Sequence, residues 1–570
     1  MHPPSDSSDP ADRTVAESML RSLAEYDVDY VFSNFGTDHT PIIEAAAQLR
    51  EAGEADAFPE LVPCPHEFVA LSAAHGYAQA SGDPQAVLVH VDVGTQNLGA
   101  AMHNAHRANA PVLIMAGLAP VSDEGYLGSR DNPIHYYQDV FDQTGIVEEY
   151  CRWTNEYRTP ADPTEAIRRG LERTSATPPG PTYLSFSREA LEAPTPASPG
   201  ELGSIRRTRP AGADDESVAA VVDRLEAAEN PLVITSSAPG PLGDWQVDAL
   251  VSFAEAAGAG VVEHYPTELC FPRDHELHVG FDPGEPLSET DLLVLLETDV
   301  PWVPSKTDVP DDLTTIQIDT NPTKPEFRSW PFDADVTVMA DPASTLRTIT
   351  AQLESGGDGS VWREMHRDSA EAAQRRAADH RANERLTATV LSDEISNHVD
   401  EETVVLQGAL TNRPAALDQI TLSEPGSYYW RGGAGLGWGV PAGIGVKLAS
   451  PESRVISLIG DGGYLFSNPA ASALAAENAG TATLTVVYNN ESWESVRAAT
   501  RSQHGSGTAV AQGVPEGRYG DAADLSCISE VTDTFSRRIE AFDSLEETVA
   551  EAIDAVDNGT NAVLDVRVEN

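Results

Sequence analysis

"VISLIGDGGYLFSNPAA", residues 455–471, decides how this chain reads. An apolar run leads straight into Gly460-Asp461-Gly462-Gly463, and small residues with helical character follow. That order gives a buried strand, a tight turn and a helix, the repeating unit of a parallel α/β sheet. An aspartate held between glycines at a strand end has little packing value, so its use lies in what approaches it. In open α/β sheets, ligands sit beyond the carboxyl ends of the strands, where loops and helix starts converge. Asp461 stands at such an end. The next apolar run, "TLTVVY" (483–488), finishes on Asn489-Asn490, a second pair of oxygen donors on the same edge. A carboxylate and an amide carbonyl suit a hard cation such as Mg²⁺, which takes few protein ligands and completes its shell with phosphate and water. Gly462 and Gly463 let backbone amides approach that phosphate without a Cβ in the way. Each element alone is equally an ordinary turn or strand end; their place on successive strand ends of one βαβ-sized unit joins them.

"GDGGYLFSNPAASALAAENAGTATLTVVYNN" (460–490) resembles the diphosphate-binding motif of thiamine-diphosphate enzymes, GDG followed downstream by NN. The interval is slightly longer here, as from an insertion near "AGTAT". The resemblance implies thiamine diphosphate against Gly460, Asp461, Gly462 and Gly463. It also implies Mg²⁺ held by the side chains of Asp461 and Asn490 and by the backbone carbonyl of Ser492. Upstream, "GGAGLGWGVPAGIGVKLA" (432–449) is similar as well, and implies Leu436 as the apolar wedge that bends the cofactor.

That chemistry needs a carboxyl group on the cofactor's pyrimidine ring, which the family places at a strand end opening a helix. Acid–base catalysis by a positioned group is worth about 10²–10⁴-fold. "LVPCPHEFVALSAAHGYAQASG" (61–82) puts Glu67 in that position, although a glutamate also suits any helix's first turn. His66 beside it reads as an orienting or packing residue. "VHVDVGTQNLGAAMHNAHRANAPVLIMAG" (89–117) is similar to benzoylformate decarboxylase, which carries a catalytic histidine just before its own Gly-Thr-X-Asn. His90 occupies that place and Gly94 opens the turn against the cofactor. A histidine titrates near about pH 6.5 and can move protons during turnover; a strand histidine merely satisfied by a hydrogen bond is the competing view.

In "FSNFGTDHT" (32–40), Thr37 falls where that decarboxylase has a serine meeting the substrate carboxylate, with Asp38 and His39 as alternatives. Other features are similar to acetolactate synthase. "HYYQDVFDQTGIVEEYCRW" (135–153) resembles its Phe-Gln-Glu region, so Tyr137 and Gln138 are expected to line the substrate pocket. Trp493, in "NNESWESVRAATRSQHG" (489–505), matches neither subfamily closely and is a further candidate substrate contact. These aromatics point to a bulky or aromatic 2-oxo acid.

The expected function is therefore a Mg²⁺- and thiamine-diphosphate-dependent 2-oxo acid decarboxylase, with carboligation as a second outcome of the same chemistry. An acetolactate-synthase-type carboligase is the alternative. A nucleotide-binding oxidoreductase is more distant, because "GGAGLGWG" offers GxGxG rather than GxGxxG. A non-catalytic binding paralogue is equally distant, because Glu67 is present. FAD is not expected: after "NPLVITSS" (230–237) only "APGPLG" stands where a glycine-rich phosphate loop would be.

The fold class is α/β, in three consecutive domains with parallel sheets flanked by helices. The boundaries expected are a pyrimidine-binding domain at 1–191 with a flexible tail at 1–12, and a Pro/Gly/Ser-rich linker at 192–214. A central domain at 215–353, a second linker at 354–386 and a diphosphate-binding domain at 387–570 follow. Eleven strands stand out as apolar β-rich runs: "DYVFSN", "ELVPC", "AVLVHV", "PVLIMAG", "PLVITS", "DLLVLLET", "TIQID", "DVTVMA", "TVVLQG", "RVISLIG" and "TLTVVYNN". Because the family's cofactor lies between the first domain of one subunit and the third of another, the resemblance implies a homodimer or homotetramer.

Composition narrows the partners to a small molecule. The net charge is −54, with three lysines against thirty-three arginines. Acidic residues run along the whole chain, the pattern of a solvated shell that stays soluble where salt screens charge within about 3 Å at 1 M. A halophilic cytoplasm is the expectation. Nucleic acid is disfavoured for want of a basic patch. A membrane span is disfavoured for want of a long apolar stretch, and a secretory leader by the polar amino terminus. Cys64, Cys151, Cys270 and Cys527 are too dispersed for a zinc site or disulfide framework.

Overall fold

Short runs rich in Val, Ile and Leu, buried on both faces, dominate the secondary structure, as parallel strands under crossover helices require. The computed structural model describes residues 13–158, 163–195, 203–206, 208–238, 244–518 and 523–569, so the tail expected over residues 1–12 lies outside the described residues. The first sheet comprises β1 (Tyr30–Ser33), β2 (Glu60–Pro63), β3 (Gln85–Val89), β4 (Val112–Leu118), β5 (Trp153–Tyr157) and β6 (Thr182–Ser187). The second comprises β7 (Pro231–Thr235), β8 (Gly260–Glu263), β9 (Leu292–Leu296), β10 (Thr314–Asp319) and β11 (Val336–Met339). The third comprises β12 (Thr403–Gln407), β13 (Tyr428–Trp430), β14 (Arg454–Gly460), β15 (Leu484–Asn489), β16 (Thr534–Ile539) and β17 (Asn561–Arg567).

All three sheets are parallel, with orders β2-β1-β3-β4-β6-β5, β11-β10-β9-β7-β8 and β13-β12-β14-β15-β17-β16. Renumbered within each sheet, the first and third share the order 2-1-3-4-6-5, and the second follows 2-1-3-4-5. Each therefore reverses direction between its first and third strands, and the carboxyl ends of those two strands frame the crevice where such sheets bind ligands. In the first sheet these are β1 and β3; in the third, β12 and β14.

Six strands lie outside the eleven expected apolar runs. Edge strands β5 and β16 carry exposed or half-exposed polar residues, and β13 and β8 are short. In β6 the hydroxyls of Thr182, Ser185 and Ser187 are fully buried, and in β17 Asp565 is buried, accepting from Asn489 Nδ2 at 2.7 Å and Leu525 N at 2.9 Å. The charged run after residue 360 is a helix, Ser360–Ala382, anchored by a fully buried Trp362.

Contact density separates two units. One contains residues up to Thr208 together with Arg431–Ser450 and Ser467–Thr481, hence the first sheet; the other contains the second and third sheets. In the first unit, apolar clusters cover both faces of the sheet. In the second, each sheet has its own core, every fully buried Val, Leu or Ile contributing about 1.5–3 kcal/mol. Inside that unit Glu263, at the end of β8, pairs with Arg273 at 3.0 Å, and Arg273 lies over Tyr428 of β13 at 4.2 Å. Removing one partner of so buried a pair costs about 3–5 kcal/mol. The four cysteines are free thiols, Cys527 exposed. Among the described residues no helix is long and apolar enough to cross a membrane.

Candidate active site

Beyond β1 the chain makes a single turn of 3₁₀ helix, Thr37–His39, and beyond β3 His90 caps the helix Val91–Asn97. Because β1 pairs directly with β3, these two ends are adjacent. Asp38 Oδ1 lies 2.5 Å from His90 Nδ1, and Asp38 Oδ2 accepts from Val91 N at 3.2 Å. His39 Nε2 lies 3.2 Å from the same Oδ2, off hydrogen-bond alignment, while its Nδ1 accepts from Gly36 N at 3.0 Å. The space for this cluster is cut from the backbone. A Cβ at Gly36 would lie 2.0 Å from His90 Nδ1, and one at Gly117 would lie 1.6 Å from Asp38 Oδ2. Val91 sits at φ +26°, a conformation that β-branched residues avoid and that only a tightly determined turn maintains.

The electrostatics follow from that packing. Burial is the largest influence on Asp38 and would raise its pKa, but His39, His90 and the Val91 amide outweigh it and hold the carboxylate below its usual range. The hydrogen bond that His90 donates to Asp38 raises the histidine above its ordinary value, against partial burial and with help from the charges of Asp38 and Glu67. Full burial drives His39 down instead, against the charge of Asp38. With Nδ1 committed to Asp38, Nε2 is the ring nitrogen of His90 left for proton exchange.

Glu67 is the first residue of the helix Glu67–Ser81, capped by His66 Nδ1, which accepts from Phe68 N at 3.1 Å. Asn97, the asparagine of Gly-Thr-X-Asn, donates through Nδ2 to Glu67 Oε2 at 2.7 Å. Gly94 lies on the intervening helix beside Glu67 Oε1. The first unit thus brings Glu67, His90 and Gly94 to one edge. Asp38 joins them through His90, while Thr37 beside it is exposed and its backbone carbonyl lies 3.5 Å from Arg188 Nη1. Leu436 is half-buried in the turn before the helix Gly439–Ala449, where Gly435 exchanges hydrogen bonds of 2.8 and 3.0 Å with Asn104.

Tyr137 and Gln138 part company. Tyr137 is 83% exposed, whereas Gln138 is buried along a polar cleft of about 200 Å³ that it shares with Arg130, Gln143, Glu156 and Arg158.

The second unit carries the other half of the expected residues. Asp461 is buried at the carboxyl end of β14 and opens the helix Asp461–Phe466. Its Oδ1 accepts from Gly462 N at 2.7 Å and its Oδ2 from Ser492 N at 3.2 Å, so the carboxylate reaches across to the turn after β15. Ser492 Oγ donates to Asn490 Oδ1 at 3.2 Å, which places Asp461, Asn490 and Ser492 in one chain of contacts. A Cβ at Gly460 would meet nothing within 4 Å, leaving the approach to this turn open. Gly463 lies one residue further into the helix. One carboxylate, one amide oxygen and a nearby backbone turn form a hard-oxygen donor set that fits a magnesium ion bridging to phosphate. Among the described residues no group of three or more His, Cys, Asp or Glu side chains could hold a metal ion. Trp493 is 44% exposed at the start of the helix Glu494–Gln503 and donates through its backbone N to Gly517 O at 2.8 Å.

Residues 13–146 match the model of the thiamine pyrophosphate enzyme N-terminal TPP binding domain, and residues 412–566 match that of the C-terminal TPP binding domain. A probable 2-ketoarginine decarboxylase of Pseudomonas aeruginosa is 27% identical over 85% of this chain and 83% of its own length. A benzoylformate decarboxylase of the same organism is 25% identical over 79% and 81%. An acetolactate synthase large subunit of Lactococcus lactis is 22% identical over 85% and 81%. Among solved structures, a thiamine diphosphate-dependent 4-hydroxybenzoylformate decarboxylase of Rhodococcus jostii shares the fold, with a TM-score of 0.77 at 20% identity over 98% of this chain and 99% of that one.

Proposed function

We propose that this chain, which belongs to the thiamine pyrophosphate enzyme family, is a Mg²⁺-dependent 2-oxo acid decarboxylase of the benzoylformate-decarboxylase type. The observation that carries this reading is the 2.5 Å contact between Asp38 and His90 at the carboxyl ends of β1 and β3. It supplies a proton-moving histidine where a decarboxylase needs one to finish its product.

Thiamine diphosphate supplies the carbon nucleophile and electron sink for loss of CO₂. The side chains of Asp461 and Asn490, with the carbonyl of Ser492, would hold Mg²⁺ and through it the diphosphate. Glu67, with Oε2 accepting from Asn97, leaves Oε1 as the oxygen that gives and takes a proton. His90 gives and takes protons at Nε2, and Asp38 fixes its tautomer and stabilises its charged form. Gln138, buried beside the cleft, is a substrate-orienting residue in this reading. A homodimer or homotetramer is the proposed assembly.

Acetolactate-synthase-type carboligation is the second reading, favoured by relatives of that type and by the Gln138 region. The deciding experiment supplies purified protein, in high salt with Mg²⁺ and thiamine diphosphate, with a panel of 2-oxo acids. Release of CO₂ with an equal amount of free aldehyde is expected from at least one aromatic or branched member. Acetolactate from two pyruvates, with no free aldehyde from any acid, would replace the decarboxylase reading by the second.

A further inference from the structure

Arg413 opens the helix Arg413–Gln419 just beyond β12, and only 7% of it is exposed. Its guanidinium lies over the ring of Tyr265, 4.1 Å from the centroid, with Trp430 at 5.5 Å. Tyr265 and Trp430 meet edge to face at 6.0 Å, and His264 adjoins Tyr265 at 5.1 Å. Aromatic rings satisfy the flat faces of a guanidinium but none of its N–H donors. Among the described residues, Nε and Nη2 of Arg413 are buried without a hydrogen-bond partner. Two arginines of similar burial have acceptors at their Nε. Arg273 Nε donates to Glu263 at 3.0 Å, and Arg188 donates to the carbonyls of Gly128 and Ser129 at 2.9 and 2.8 Å.

Nε–H and Nη2–H point from one edge of the guanidinium, the side-on fork that takes both oxygens of a carboxylate. A buried charge without a partner is unfavourable, and an incoming anion removes the penalty. Tyr265 is 55% exposed, so the aromatic wall borders solvent. It also adopts φ +53°, a left-handed conformation rare for a bulky residue. Because β12 pairs with β14, this fork lies on the same sheet edge as Asp461, one strand away.

We propose that the Nε/Nη2 edge of Arg413 is a carboxylate-binding subsite, walled by Tyr265 and Trp430, for a small organic acid with an apolar or aromatic body. The test is calorimetric titration of benzoate, acetate and the neutral isostere benzamide into the full chain loaded with Mg²⁺ and thiamine diphosphate, at constant salt. Benzoate is expected to bind the wild type, and benzamide at least about tenfold more weakly, since only a carboxylate engages the fork. Arg413→Gln should lose about tenfold or more in benzoate affinity. Arg413→Lys should lose nearly as much, because it keeps the charge but not the fork. Tyr265→Ala leaves the arginine intact and should weaken benzoate more than acetate, which keeps the proposal open to test if the Arg413 variants fold poorly. Equal benzoate affinity in wild type and the Arg413 variants, or no binding of either acid by the wild type, would overturn the subsite. Competition between benzoate and a turned-over 2-oxo acid, with a raised KM in Arg413→Gln, assigns the fork to the reacting acid. An unchanged KM assigns it to a separate organic acid; either result supports the subsite. The binding measurement needs no turnover, so it stands or falls separately from the decarboxylase reading.

Discussion

The first and third sheets share one strand order, yet their ligand crevices are filled differently. After β1 and β3 stand Asp38 and His90, which satisfy each other at 2.5 Å. After β12 and β14 stand Arg413, whose fork has no partner among the described residues, and Asp461, which gathers the backbone amides of Gly462 and Ser492. A crevice whose charges are matched within the chain is prepared to move a proton without first reorganising. One whose buried donors lack a partner is prepared to receive charge from a ligand. In the proposed reading, the first sheet handles protons and the third anchors anions and metal.

The largest expected effect breaks the anchoring side. Asp461→Ala removes the only carboxylate at the turn after β14, and thiamine diphosphate binding should lose its dependence on Mg²⁺ and fall at least about a hundredfold. A cofactor titration with and without Mg²⁺ measures this, and undiminished affinity would remove the third sheet from the anchoring role. Next comes Glu67→Gln, on the proton side. Activity should drop by about 10²–10⁴ while cofactor affinity stays within a few-fold, because a positioned acid–base group is lost but no anchor is. A comparable loss in cofactor binding would blur the division.

Asp38→Asn sharpens the comparison with a smaller effect, about tenfold in kcat at neutral pH. Asp38 raises the pKa of His90, so the variant's histidine loses its proton at lower pH, and the alkaline limb of the rate profile should move in the acid direction. Stability follows the same linkage. The raised histidine contributes fully below its unfolded pKa of about 6.5 and fades as pH rises through its folded value. The lowered carboxylate contributes above its unfolded value of about 3.9 and fades as pH falls. The Tm gap between wild type and Asp38→Asn should therefore be widest between those two values. A gap that is flat with pH would mean that the pair is not charged.

Much of this was legible before any coordinates. The strand-end and helix-start positions of Asp461, Asn490 and Glu67 are readable because glycines and apolar runs mark them locally. The Asp38–His90 pair is not, since its members lie 52 residues apart and meet only because β1 and β3 are neighbours. Thr37 and Asp38 are neighbours in sequence, yet one is exposed and the other buried against His90. Arg413 carried no local sign at all: what distinguishes it is a missing partner, a property of three-dimensional surroundings. The six further strands stayed hidden because edge polarity, buried hydroxyls and a satisfied Asp565 break the apolar runs that betray the others.

The most direct test of the central claim is product analysis of wild type and His90→Ala on one accepted 2-oxo acid, with bound thiamine diphosphate quantified in both. If His90, held by Asp38, moves the protons that complete decarboxylation, His90→Ala should keep its cofactor and form free aldehyde about 10²-fold more slowly. Aldehyde formation at the wild-type rate in His90→Ala, or a wild type that yields only ligated product unaffected by losing His90, would contradict it.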